Sequence, residues 1–153
     1  MTSNIYRHAV GVERRGGRRS LVVSRVVDAP STEVWDLLTD TTRWSEWGPS
    51  VTAVDCTSRY IAGGSTGRVR VAGVGVWVPF AVDSYVDGGD DGTERRWTWT
   101  VARVPATGHR VEPVGEQCRV SFEVPLLAAG YVPVCRRALD RIAHLVEADR
   151  DER

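Results

Sequence analysis

His109 is the residue of this sequence with the clearest capacity for acid–base chemistry. It is followed by Arg110 and Val111, and the two-residue period of a strand places His109 and Val111 on the same face. A neutral imidazole on the apolar face of a sheet can exchange a proton with a ligand carbonyl or hydroxyl. A buried histidine that only hydrogen-bonds a neighbouring strand or a water fits the same pattern. The sequence leaves both interpretations open.

Tryptophan is the second residue type that suggests a site, since six tryptophans stand against two phenylalanines. Indole rings offer wide apolar surfaces with one N–H donor, which suits an aromatic or polycyclic ligand. We predict a ligand-binding set of aromatic and imidazole side chains: Trp44, Trp47, Trp77, Trp97, Trp99, His109, Phe122 and Tyr131. A pocket lined by these rings and a solid core built from them remain alternatives.

Other catalytic and cofactor chemistry has little support in the sequence. The three histidines are far apart and no HxxxH or CxxC spacing occurs, so we expect no metal site. The glycine-rich segment 63–67 lacks the lysine of a phosphate-binding loop, and we expect no cofactor. Asp83 and Tyr85 would share the outer face of one strand, where they can form an acid/base pair or simply face solvent.

Composition narrows the functional class and the compartment. Charge is balanced at 20 basic and 20 acidic residues, so we expect no affinity for nucleic acid. Cys56, Cys118 and Cys135 are widely spaced, which suits a reducing cytoplasm, and no secretory leader is visible. The longest apolar run, 71–82, is too short to cross a bilayer. We expect a cytoplasmic protein without membrane insertion, and its oligomeric state, a homodimer included, stays open.

Hydrophobic periodicity predicts the elements that position these side chains. Segment 1–19 is predicted to be a flexible terminus or an edge strand, with a basic nucleic-acid arm as the less favoured alternative. Residues 20–150 are predicted to form one domain. The β-branched run 21–27 is the first predicted strand. Pro30 then interrupts the chain, and Ser31 is the predicted N-cap of a short amphipathic helix.

Further along the chain the period changes twice. Trp44 and Trp47, one turn apart, indicate a second short helix. Residues 51–124 largely alternate apolar and polar positions, which is typical of antiparallel strands, with a Gly/Asp hairpin loop at 88–92. An apolar stripe at helical spacing then runs from position 131 to 145, and this predicts a long closing helix.

Three short motifs precede that helix in a recognisable order. They are DAPS at 28–31 with VW at 34–35, TRWSEW at 42–47, and WTW at 97–99. With the closing helix they resemble the START-like (SRPBCC) superfamily, in particular its polyketide cyclase/dehydrase and lipid-transport branch. The resemblance covers about residues 20–148. It implies an α+β helix-grip fold, in which a curved antiparallel sheet of about seven strands wraps around the C-terminal helix and two short helices follow the first strand.

The resemblance also implies an apolar cavity between the sheet and the last helix. The leading hypothesis is binding or transport of a small hydrophobic ligand, such as a lipid, an aromatic or a polyketide-like compound, in that cavity. The alternative is a polyketide cyclase/dehydratase-type enzyme with His109 as its catalytic general acid/base. A further alternative is a non-catalytic interaction module whose cavity is filled by its own side chains.

Overall fold

A computed structural model describes residues 8–88 and 94–152. Its elements confirm the predicted α+β class. The strands in this part of the chain are β1 Ala9–Arg15, β2 Arg18–Val27, β3 Val51–Asp55, β4 Thr66–Val71, β5 Trp77–Val86, β6 Arg95–Val101, β7 Val104–Val114 and β8 Gln117–Pro125. The α-helices are α1 Ser31–Thr39, α2 Trp44–Trp47 and α3 Val132–Asp151, with single 3-10 segments at Thr41–Arg43 and Leu126–Tyr131.

All strands belong to one curved antiparallel sheet. Their order is β1-β2-β8-β7-β6-β5-β4-β3, and every neighbouring pair runs antiparallel. The closing helix α3 packs against β2 and β8, and the face that it covers is called the inner face below. This arrangement confirms the predicted sheet and closing helix. No helix in the described ranges is long and apolar enough to cross a membrane.

The start of the chain forms an edge strand, which was one of the two predicted alternatives, and this strand changes the count of strands. Strand β1 lies within segment 1–19 and pairs with β2, so the sheet has eight strands where about seven were predicted. The two short helices therefore follow the second strand. Ser31 is the first residue of α1 and not its cap, because Pro30 already occupies the extended N-cap position. Of the loop predicted at 88–92, positions 89–92 lie outside the described residues.

The core forms where the apolar faces of the sheet and α3 meet. Alternate residues of β8, from Cys118 to Val124, are buried on the inner face, as the two-residue period requires. The stripe of α3 that meets them includes Ala138, Leu139 and Ile142, all buried. This packing positions the inner side chains of the sheet against the first turns of α3.

A bulge in β5 separates Asp83 from Tyr85. The register with β6 shifts between Val82 and Ser84, and an extra residue at that point reverses the alternation of side chains. Tyr85 therefore packs against the core and its ring lies 5.6 Å from that of Trp35, while Asp83 is exposed. The expectation that these two side chains share a face was wrong.

Asp40 fixes the junction between α1 and α2. Its buried carboxylate accepts hydrogen bonds from the Thr42 backbone N–H at 3.0 Å and the Thr42 hydroxyl at 2.6 Å. Arg59 donates to the same carboxylate at 3.0 Å. Burial tends to raise the pKa of Asp40, but the hydrogen bonds from Arg59 and Thr42 outweigh it and hold the pKa below its ordinary value. The junction is thus built around a charged cap.

Replacing Asp40 with alanine is expected to lower the free energy of unfolding by about 2 kcal/mol, because the cap and its buried hydrogen bonds are lost. Arg59→Ala is the control, since that side chain is 63% exposed and its removal leaves both Thr42 hydrogen bonds to Asp40 in place, so a smaller loss is expected. Urea unfolding midpoints of both variants give the comparison. Equal losses would show that the ion pair, and not the cap, stabilises the junction.

Candidate functional site

A small cavity lies between the inner face of the sheet and the start of α3. Its volume is about 40 Å³. Six of the predicted site residues line it: Trp44, Trp47, Trp99, His109, Phe122 and Tyr131. The remaining lining comes from segment 48–51, from Thr107 and from three residues of α3, Val134, Cys135 and Ala138. The cavity is therefore mostly aromatic, with a few polar groups on its walls.

The other two predicted residues lie elsewhere. Trp97 is fully buried behind the lining, stacked on His109 with ring centroids 3.9 Å apart and on Trp44 at 5.3 Å. Trp77 is 39% exposed at the start of β5, and the Arg68 guanidinium lies 5.0 Å from its ring centroid. Trp77 has the opposite strand parity to the buried Phe80, so the alternation itself indicates that it faces away from the cavity.

The two tryptophans of α2 are held by the end of α1. The Trp44 indole N–H donates to the Leu38 carbonyl at 2.9 Å, and the Trp47 N–H donates to the Leu37 carbonyl at 3.2 Å. Carbonyls in the last turn of a helix have no partner within the helix. The indoles satisfy these carbonyls, and their rings are thereby fixed against the inner face of the sheet.

A chain of polar groups runs along one wall of the cavity. Trp99 Nε1 donates to the Thr107 hydroxyl at 3.3 Å, and that hydroxyl lies 3.0 Å from His109 Nε2. A hydroxyl has one hydrogen and two lone pairs, so Thr107 accepts from Trp99 and can either donate to His109 Nε2 or accept from it. Sequence reasoning missed Thr107, although it lies two positions from His109 on the same strand face.

Burial determines the protonation of His109. It lowers the pKa of His109 from 6.5 to about 3, the backbone of Trp97 opposes this, and the charge of Arg96 adds to it. The imidazole is therefore neutral at neutral pH. It can orient a ligand oxygen through a hydrogen bond, but it is poorly matched to proton transfer, since an efficient acid or base has a pKa close to the working pH.

Two hydroxyls line the end of the cavity next to α3. The Ser50 and Tyr131 side chains hydrogen-bond to each other across the gap between the loop after α2 and the segment before α3. Burial raises the pKa of Tyr131, and the Ser50 hydrogen bond opposes the rise. Burial also raises the pKa of Cys135 to about 12, so its thiol stays protonated. These groups provide polarity at the cavity end and no nucleophile.

Metal chemistry finds no geometric support in the described residues. Over 8–88 and 94–152, no three His, Cys, Asp or Glu side chains come together in a way that could hold a metal ion. His109, the one buried histidine of these ranges, is surrounded by Trp97, Trp47 and Phe122 rings. The arrangement suits an apolar compound with one or two hydrogen-bonding groups.

Comparison with solved structures shows the same fold in proteins of low sequence identity. Hypothetical protein jhp0584 from Helicobacter pylori superposes with a TM-score of 0.64 at 12% identity, covering 82% of this chain and 86% of that chain. Human StAR-related lipid transfer protein 5 superposes with a TM-score of 0.60 at 13% identity, covering 92% of this chain and 88% of that chain. The di-domain ARO/CYC BexL of the BE-7585A biosynthetic pathway superposes with a TM-score of 0.59 at 20% identity, covering 84% of this chain and 46% of that chain.

Sequence comparison defines the family directly. A search of curated proteins finds no match. The profile of the family described as polyketide cyclase / dehydrase and lipid transport matches residues 18–148. That range contains both short helices, strands β2–β8 and nearly all of α3. The protein therefore belongs to the polyketide cyclase/dehydrase and lipid-transport family of the START-like superfamily.

Proposed function

We propose that the protein binds a small hydrophobic ligand between the inner face of its sheet and α3. The observation that carries the proposal is the cavity itself, an aromatic-walled space with the neutral His109–Thr107 pair on one side. Ligand sites of this type combine apolar walls with a few hydrogen-bonding groups. The family description, which names lipid transport, and the likeness to a lipid transfer protein support the same conclusion.

The cavity must widen to accept such a ligand. Its volume of about 40 Å³ holds only a few water molecules, since one water needs about 10–15 Å³ of such space. The segment Leu126–Tyr131 is the part best placed to move, because none of its residues is fully buried and its backbone is kinked at Ala128. Breaking the Ser50–Tyr131 hydrogen bond would release this segment and the first turn of α3.

A second function is favoured by the same small volume. An interaction module with a filled cavity would show this dense aromatic cluster, in which Trp97 stacks on both Trp44 and His109. The cyclase/dehydratase alternative has less support, because a pKa of about 3 leaves His109 unprotonated at neutral pH. Ligand titration separates binding from the interaction module.

Titration of tryptophan fluorescence with uncharged ligands tests the proposal. A fatty alcohol, a flavone and an uncharged aromatic polyketide cover the three ligand classes. At least one is expected to change the emission saturably, because Trp44, Trp47 and Trp99 line the cavity. The ligand should be recovered unchanged. Absence of any response would favour the interaction module.

A matched pair of variants locates the binding. Val134→Phe adds a ring to the wall of the cavity and is expected to weaken binding at least about tenfold, since a packed site cannot absorb the added ring without strain. Ala148→Phe adds a ring at an exposed position of the same helix and should leave the affinity unchanged. Equal effects of both substitutions would place the ligand outside the cavity.

A further inference from the structure

The β1–β2 hairpin folds over the outer face of the sheet, the face opposite α3. Glu13 of β1 bonds to Arg110 of β7 at 2.9 Å, and Arg15 bonds to Glu94, next to β6, at 2.8 Å. In the sheet order β2 and β8 lie between β1 and β7, and three strand spacings of a flat sheet amount to about 14 Å. The hairpin must therefore bend over the sheet for these ion pairs to form.

The bend encloses a groove, called the outer groove here, between the hairpin and the sheet. Its volume is about 610 Å³, against about 40 Å³ for the inner cavity, and small-molecule sites commonly measure about 300–1,000 Å³. The floor consists largely of small residues of β6 and β7, including Thr98, Ala106 and Gly108. A Cβ atom at Gly108 would lie 2.8 Å from the Glu123 carboxylate, so a side chain there would displace that carboxylate.

The charges around the outer groove leave an excess of guanidinium groups. Four arginines line it together with two acidic residues, Asp83 and Glu123. Arg96 donates two hydrogen bonds of 2.6 and 2.8 Å to Glu123. Arg15 forms an ion pair with Glu94, which lies next to the groove. For Arg18 and Arg19 no carboxylate within the described residues lies at salt-bridge distance, 4.0 Å or less. These two side chains are available to an anion.

The other end of the outer groove is apolar. Leu127 is fully exposed and Val104 is 61% exposed, and both line the groove together with Pro105 and Pro125. A fully exposed leucine next to an exposed valine is apolar surface without cover. The groove therefore offers cations at the hairpin and apolar contacts at the segment before α3.

We propose that the outer groove binds an amphipathic anion, an apolar or aromatic body that carries a carboxylate, sulfonate or phosphate group. The Arg18 and Arg19 guanidinium groups hold the anion, since arginine forks match planar and tetrahedral oxyanions. Leu127 and Val104 cover the apolar body. The site is distinct from the inner cavity, because the sheet separates the two spaces and Trp99 is the one lining residue that they share.

Titration with 1-anilinonaphthalene-8-sulfonate tests this site, with uncharged N-phenyl-1-naphthylamine as the probe that lacks the anion. The sulfonate probe is expected to bind with enhanced, blue-shifted emission. Arg18→Ser/Arg19→Ser should weaken it at least about tenfold, because charge-assisted hydrogen bonds are about twice as strong as neutral ones. The same variant should leave the binding of the uncharged probe unchanged.

Two further variants make the test specific. Arg136→Ser/Arg137→Ser removes an equally exposed arginine pair from α3 and should alter the affinity less than about twofold, which controls for net charge. Leu127→Glu places a carboxylate at the apolar end of the outer groove without changing the core. It should also weaken the binding of the sulfonate probe. Equal losses for the two arginine pairs would overturn the proposal. The proposal would also be overturned if Val134→Phe weakened binding of the sulfonate probe and Arg18→Ser/Arg19→Ser did not. The probe would then occupy the inner cavity.

Discussion

Replacing Trp44 with alanine is expected to lower the free energy of unfolding by about 3–5 kcal/mol, the usual range for removing a large buried ring. Trp44 is 2% exposed and stacks on Trp97 with an interplanar angle of 5°. It also contacts the rings of Phe80 and Trp99. The substitution removes the centre of this aromatic cluster and leaves the Leu38 carbonyl without its indole donor. Chemical denaturation measures the loss of unfolding free energy, with the m-value of the variant expected to equal that of the unchanged protein.

Trp77→Ala is the matched control for this substitution. Its ring is 39% exposed and its described aromatic contact is with Arg68, so its loss should cost no more than about 1 kcal/mol. The same exchange of residue types at two places separates core packing from the removal of a tryptophan as such. If Trp44→Ala cost as little as Trp77→Ala, the aromatic cluster would not be a structural core, and a cavity that already yields to ligands would explain its tolerance.

Acidification from pH 7 to pH 5 is expected to lower the free energy of unfolding by about 2 kcal/mol through His109 alone. Burial lowers the pKa of His109 to about 3 from 6.5. Between pH 6.5 and about pH 3 the imidazole is protonated in the unfolded chain and neutral in the folded chain. Stability therefore rises with pH in this window, and the contribution of His109 is complete above its unfolded pKa and lost as pH falls toward 3.

The window from pH 7 to pH 5 isolates His109 from the carboxylates. Glu13, Asp40 and Glu123 have pKa values held below 4.5, 3.8 and 4.5 respectively. Their stabilising contributions are present above these ordinary values and are lost at lower pH. A slope between pH 7 and 5 consequently reports the buried imidazole.

His109→Gln should remove this slope, whatever it does to the stability at pH 7. The amide keeps a hydrogen-bonding partner for Thr107 and does not titrate. His144→Gln, at an exposed position of α3, should leave the slope intact. Urea unfolding at intervals of half a pH unit gives both curves. A slope that persists in His109→Gln would show that the imidazole is solvated, and acid–base chemistry at this residue would again be open.

Local sequence patterns determined most of the secondary structure and the assignment of strand faces. The alternation in β8 and the helical stripe of α3 follow from periods of two and 3.6 residues, and both describe the observed buried faces. The element order, with the TRWSEW and WTW motifs, was sufficient to indicate the family. His109 could be placed on the inner face for the same reason, because a side chain's face depends only on neighbours along the strand.

Tertiary structure decided everything that depends on distant contacts. The bulge at Val82–Ser84 reversed the parity of β5, and a bulge is set by cross-strand pairing that the local pattern does not contain. The partnership of Thr107 with Trp99 depends likewise on the register between β6 and β7. The eighth strand required a hairpin whose arginines gave no periodic apolar signal.

The volumes of the inner cavity and the outer groove could not be predicted from the sequence either. Whether aromatic rings enclose a cavity or fill it depends on ångström-scale packing, and here the rings leave about 40 Å³. Balanced composition also concealed the distribution of charge, since the arginines around the outer groove come from β1, β2 and β6 and meet only when the hairpin bends over the sheet. Periodicity is a local property of the chain, whereas volume and charge clustering arise from contacts between residues far apart in sequence.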